Sequence, residues 1–132
     1  MIIKYLLILG IGHTAGDFYL QSQKMAEEKD KSFRGVVIHS LEYALVMAAA
    51  VIPVFDWNLL LGALGLSFSH FLIDAAKYLL LKKGKAKKSA GLFVYDQMAH
   101  IACIFAAAYF LYNAAVPAAV IPPIAHVLET FE

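Results

Sequence analysis

The chain has 132 residues, 61% of them hydrophobic and only 16% charged, with a formal net charge of +1. Soluble domains carry about a quarter charged residues, so this composition argues against one. The single cysteine, Cys103, excludes an intramolecular disulfide and any multi-cysteine metal site, and no nucleic-acid partner is expected.

Apolar runs of about 20 residues suffice to cross a bilayer as helices, and four such runs fit the chain. The first covers about 2–23. It begins like a signal peptide, with Lys4 and an apolar stretch, but has no small-residue cleavage pattern and is interrupted by His13 and Asp17, so it reads as a retained helix. Gly12, Ala15 and Gly16 would let a neighbouring helix approach closely there. A connection from Lys24 to Arg34 follows, holding Lys24, Lys29, Lys31 and Arg34. The second run, about 33–55, carries His39, Glu42 and Tyr43, and the connection after it, Pro53 to Asn58, has no basic residue. The third, about 58–81, carries Ser67, His70, Asp74 and Lys77, and ends in the lysine-rich stretch Lys82 to Lys88. The fourth, about 90–112, carries Asp96, Gln97 and His100. Beyond it Pro117, Pro122 and Pro123 break the helix, leaving a tail at 117–132 that is at most a short amphipathic segment from Ile124 to Glu132, with His126 on its surface.

The expected fold is therefore all-α: one four-helix transmembrane domain over residues 1–132, an antiparallel bundle. A soluble four-helix bundle would need a polar face on every helix, which Leu41 to Val54 and Ile101 to Leu111 do not supply. Lysine and arginine mark the cytoplasmic side. The two basic connections are an even number of crossings apart, so both are expected inside and both termini outside, in the bacterial inner membrane. Trp57 and Tyr112 fall near the outer boundary, and Lys4 weakly opposes this orientation.

Ionisable residues inside such helices are costly and mark sites by default. At a rise of about 1.5 Å per residue, Asp17, His39, Asp74 and Asp96 all lie about 9–10 Å below the cytoplasmic boundary. His13, His70, His100 and Tyr43 lie one turn deeper. Helices running inward read His-x3-Asp, and the outward fourth helix reads Asp-x3-His. Residues four apart share a helix face, so the reversal puts each aspartate toward the cytoplasm and each histidine deeper. Singly, such residues have bland explanations: a lone membrane histidine such as His39 usually bonds a neighbouring helix, and Lys24 and Lys77 would snorkel to the interface. Interhelical glue does not require three acids and four bases at matched depth.

Lys24 and Lys77 are the only cations placed near these acids by depth, and no arginine lies at that level. Uncompensated carboxylates there would destabilise insertion, and one or two divalent cations would neutralise them. Mixed imidazole and carboxylate ligands suit zinc first, with manganese, iron or nickel as alternatives. The expected ligands are His13, Asp17, His39, His70, Asp74, Asp96 and His100, with His13, His39 and Asp17 the candidate catalytic groups. Gln21, Lys24, Glu42, Tyr43, Lys77 and Gln97 are candidates to orient ligands or bind a substrate anion, Glu42 as a fourth carboxylate beside His39.

The series His-x2-Gly-Asp-Phe-x-Leu-Gln with a following lysine (His13, Gly16, Asp17, Phe18, Leu20, Gln21, Lys24) opens a longer pattern. It continues with His39 and Tyr43, Ser69-His70-x3-Asp74-x2-Lys77, and Asp96-Gln97-x2-His100. In this order the motifs resemble a family of small bacterial and phage membrane proteins, domain of unknown function 3307, which brings no established activity. A looser similarity in His/Asp patterning links them to membrane-bound metal-dependent hydrolases. The leading expectation is a metal-dependent hydrolase of a lipid or phosphoester. Its alternatives are a proton or metal-ion pathway in a homo-oligomer such as a homodimer, a haem site, which the adjacent aspartates fit poorly, and a non-catalytic adaptor. Membrane lipids are the expected surroundings and partners.

Overall fold

The computed structural model describes residues 2–114 together with 119 and 120. The proline-rich tail read from Pro117 onward, with Pro122, Pro123 and His126, falls outside the described residues apart from 119 and 120.

Helix α1 (Ile2–Thr14) continues into a π-helical segment, Ala15–Tyr19, closed by a hydrogen bond from the Leu20 N–H to the Ala15 carbonyl at 2.9 Å. The helical run ends there, four residues short of the expected boundary at 23. A short helix, α2 (Gln23–Lys31), follows. The Ser22 hydroxyl accepts from the Met25 N–H and starts it. Ser32 serves two helices: its N–H closes α2 on Glu28, and its hydroxyl accepts from the Gly35 N–H to start α3 (Phe33–Val51). The segment expected to be a basic connection is thus largely helical, and five α-helices stand among the described residues where four were expected.

Helix α3 stops at Val51 rather than 55, and Val54–Phe55 (β1) pairs antiparallel with Ala119–Val120 (β2). The Asp56 carboxylate caps α4 (Trp57–Lys82) by accepting from the Asn58 N–H at 2.8 Å. Gly84, at φ +65°, turns the chain out of α4, a conformation that favours glycine. Ser89 then caps α5 (Ala90–Ala114) through its hydroxyl and the Leu92 N–H.

Around the bundle α1 packs on α3 and α5, and α4 packs on α3 and α5, while α2 lies against α3 and α4. Ile8, Leu9, Met47, Val51, Leu59, Ala63, Ile104 and Leu111 form an apolar core on one side of the buried histidines along each helix. The polarity is otherwise inverted relative to a soluble protein. His13, Asp17, Lys29, His39, His70, Asp74, Asp96 and His100 are buried, while Leu41, Leu45, Leu61, Phe68, Phe105 and Phe110 are exposed. Among the described residues, α3, α4 and α5 are each long and apolar enough to cross a membrane. This is a helical membrane protein.

Small residues set the closest approaches. Gly12 abuts Met47, Gly16 abuts the Tyr43 ring, and Gly35 lies against the backbone of Glu28. A Cβ at position 35 would come 2.5 Å from the Glu28 carbonyl group, backbone that yields only if α2 moves. Gly35→Ala should therefore lower stability by about 1–3 kcal/mol, the usual range for overpacking. Gly65→Ala, with no atom within 4 Å of the added carbon, should be neutral or slightly stabilising. Thermal unfolding of the two variants in detergent compares them directly, and equal effects would refute this account of α2 docking.

Candidate functional site

Four helical segments deliver one polar cluster. Asp17 comes from the π-helical segment, His39 from α3, His70 and Asp74 from α4, and Asp96 and His100 from α5. Insertions of the π type recur at functional positions because they re-aim side chains without ending the helix. Here the segment carries Asp17 into contact with α3, α4 and α5.

At the centre, His39 Nε2 lies 3.0 Å from Asp17 Oδ1, 3.1 Å from His70 Nε2 and 3.7 Å from Asp74 Oδ2. His70 Nε2 lies 3.6 Å from Asp17 Oδ1 and 3.3 Å from Asp74 Oδ2. Two carboxylates thus flank this pair of nitrogens, and His39, His70 and Asp74 can each offer a donor atom within 4.8 Å of the others. A neutral imidazole carries a single N–H. With both Nε2 atoms protonated, two donors face each other at 3.1 Å; with neither, two lone pairs face two carboxylates; with one, its N–H is shared between the other ring and a carboxylate. A tetrahedral metal with ligand bonds of about 2.0–2.1 Å has ligand–ligand edges of about 3.3 Å. The five edges above, from 3.0 to 3.7 Å, bracket that value. The geometry is compatible with a metal site.

The imidazoles are held by stacking. The His70 ring lies parallel to Tyr43, with centroids 3.8 Å apart, and its other neighbour is His100 at 4.3 Å. The Tyr43 hydroxyl pairs with His13 Nδ1 at 3.0 Å. Gln97 donates to Asp17 Oδ2 at 3.2 Å, and Gln21 donates to the Asp17 carbonyl at 2.9 Å. A second group stands beside the first: His100 Nε2 is 3.8 Å from Asp74 Oδ1 and 3.7 Å from Asp96 Oδ1.

The residues expected at the site are thus brought together, except for two. Glu42 is exposed on α3, because the buried stripe of that helix runs through Val36, His39, Ser40, Tyr43 and Met47 and leaves position 42 outside it. Lys24 is exposed on α2 and takes no part in the cluster.

The sequence reading missed Lys29, which it counted as a loop charge. Its ammonium is buried and donates to Asp17 Oδ1 at 3.4 Å and Asp74 Oδ2 at 3.2 Å. Asp30, its neighbour, joins Lys77 at 3.2 Å and Lys88 at 3.0 Å, and Lys77 reaches on to Asp96 at 3.6 Å. The acids are therefore not uncompensated: Lys29 and Lys77 stand against them. One signal was available: Gln23 to Lys31 contains neither glycine nor proline and is bracketed by two serines, the mark of a short capped helix.

A cleft of about 270 Å³ leads to the cluster, lined by Lys29, Asp30, Lys77, Lys88, Asp96 and Gln97 among others. Phe18 and Phe93, edge to face at 6.5 Å, border both this cleft and an apolar groove between α1 and α5 floored by His13.

The sequence matches the family described as "Protein of unknown function (DUF3307)" over residues 4–128. The chain belongs to that family. Searches of curated proteins and of solved structures find no match to this DUF3307 protein.

Removing one partner of a buried ion pair strands the other charge, at a cost of about 3–5 kcal/mol. Lys29→Met in this DUF3307 protein should lose stability on that scale, whereas Lys24→Met should stay within about 0.5 kcal/mol of the parent. Denaturant unfolding in mild detergent measures both. Equal stabilities would mean that Lys29 does not neutralise Asp17 and Asp74.

Proposed function

We propose that this protein is a membrane-embedded, metal-dependent hydrolase acting on an ester or phosphoester of a lipid. The observation that carries the reading is the buried gathering of His39 Nε2 and His70 Nε2, 3.1 Å apart, with the carboxylates of Asp17 and Asp74 each within 3.7 Å of both nitrogens, separations suited to ligands of one ion. Two nitrogens and two oxygens favour zinc, with manganese, iron or nickel as alternatives. A bound ion would polarise the scissile group and lower the pKa of a bound water. His13, whose Nε2 has no hydrogen-bond partner among the described residues, is the nearest general base to the α1/α5 groove. Gln97 orients Asp17, and Lys77 and Lys88 suit an anionic headgroup in the polar cleft. The apolar groove beside it, lined by Phe18, Phe93, Ile101 and Phe105, suits a hydrocarbon tail.

The transport alternative needs a polar path through the rest of the bundle. Leu9, Met47, Leu59, Ala63 and Ile104 occupy that region, which supports hydrolysis over conduction. In the proposed orientation the helical run 2–19 makes a fourth crossing, and the α2 end of the bundle faces the cytoplasm of a bacterial inner membrane.

Two measurements test the reading. Protein purified in detergent without chelator should contain stoichiometric transition metal, and His39→Ala with Asp17→Asn should lose it; absence of metal, with none taken up on addition, would sink the proposal. Hydrolysis of phosphoester lipids in mixed micelles should fall about 10–100-fold in Gln97→Ala, as for other residues that orient a metal ligand. For orientation, single cysteines in a Cys103→Ser background should react with an impermeant thiol reagent on intact spheroplasts at Asn58→Cys and not at Lys85→Cys. The opposite pattern would invert the topology.

A further inference from the structure

We infer that the cluster takes two divalent cations, with the Asp74 carboxylate bridging them; this rests on the metal-binding reading above. The two oxygens of Asp74 face different partners. Oδ2 lies near Lys29 at 3.2 Å, His70 at 3.3 Å and His39 at 3.7 Å. Oδ1 turns the other way, toward His100 Nε2 at 3.8 Å, and the same nitrogen lies 3.7 Å from Asp96 Oδ1.

These separations are too long for hydrogen bonds. Asp74 Oδ1, Asp96 Oδ1 and His100 Nε2 are all buried and lack a hydrogen-bond partner among the described residues. Their side chains are only 1–3% exposed. Ionised carboxylates accept and never donate, so Asp74 and Asp96 cannot satisfy each other. Three buried orphans in one place carry a cost of about 1–3 kcal/mol each, which is an anomaly unless something positive or polar sits among them. The three donor atoms lie within 4.8 Å of one another, close enough for one ion to reach all of them after small rotations.

The two positions differ in kind. The first draws on two imidazoles, His39 and His70, with Asp74 and with Asp17 alongside, whereas the second has only His100 with Asp74 and Asp96, which leaves a coordination position for water or a substrate oxygen. The proposed base stands beside both positions, the His13 ring lying 5.5 Å from that of His100 and 6.2 Å from that of His70 between centroids. A carboxylate spanning two ions is the arrangement by which paired metals clamp a displacement reaction. One nitrogen with two carboxylates is a harder donor set than the first, so manganese should fill it as readily as zinc.

The test uses the full chain in detergent, stripped of metal and reloaded with zinc or manganese. After gel filtration, elemental analysis should find about two ions per chain in the parent protein and about one in Asp96→Asn/His100→Gln. Manganese-loaded parent protein should give the broadened, exchange-coupled EPR spectrum of a close ion pair, a readout that does not depend on any variant folding. One ion per chain with an isolated six-line manganese signal would overturn the two-ion inference and leave the metal site standing. No bound ion at all would overturn both.

Discussion

The ammonium of Lys29, set between the carboxylates of Asp17 and Asp74, is the contact on which the described architecture turns. Two acids at the heart of an apolar bundle are tolerable only with positive charge against them, because desolvated carboxylates otherwise cost several kcal/mol each. That cation comes from α2, so α2 must dock. Its docking explains features that would otherwise be unrelated: serines at both of its ends, the missing side chain at Gly35, and the chain of Asp30, Lys77 and Lys88 that ties α2 to α4 and to the start of α5. Buried ion pairs seldom stabilise a fold better than apolar packing would. Such a network inside a membrane bundle is compatible with a metal site, as the buried His/Asp groups beside it are.

Much of this was legible in the sequence because composition and depth are one-dimensional. The runs at 33–55, 58–81 and 90–112 correspond to α3, α4 and α5 within a few residues, since an apolar stretch of that length has few alternatives. Counting from the boundary put Asp17, His39, Asp74 and Asp96 at one level, and they meet. The failures are three-dimensional. Asp17 reaches its partners from a π-helical segment, an insertion that leaves no mark in the hydropathy pattern. Lys29 looked like a topology charge because burial of a lysine depends on where its helix lands. Glu42 failed by angle: the inward stripe of α3 passes through His39 and Tyr43, and position 42 lies beyond its edge.

The case for a metal changes its footing once the cations are placed. In the sequence, three acids have only Lys24 and Lys77 near them, both close to the interface. In the folded chain Lys29 and Lys77 provide neighbours, and a proton-and-lysine network would be an adequate account of neutrality alone. It does not account for the nitrogens. Two imidazole nitrogens at 3.1 Å share at most one proton between them, and both stand within 3.7 Å of two carboxylate oxygens that Lys29 already serves. The Nδ1 atoms of both rings lack hydrogen-bond partners among the described residues, so turning either ring moves the orphan without removing it.

A metal held by Asp17 Oδ1 and Asp74 Oδ2 would compete with Lys29 for the same two oxygens, and this bears on the substrate. Asp17, Asp30, Asp74 and Asp96 face Lys29, Lys77 and Lys88, an excess of one negative charge. A single divalent ion reverses that sign, and a second makes the site strongly positive. Like charges so close together in a low dielectric repel by more than hydrogen bonds hold them, so a loaded centre favours releasing Lys29 toward the cleft. The cleft then gains a mobile cation beside Lys77 and Lys88, next to an apolar groove. In the proposed hydrolase, excess positive charge at the polar end and hydrocarbon walls at the other would make an anionic amphiphile the complement of a loaded site, whereas a neutral ester would leave that charge unanswered.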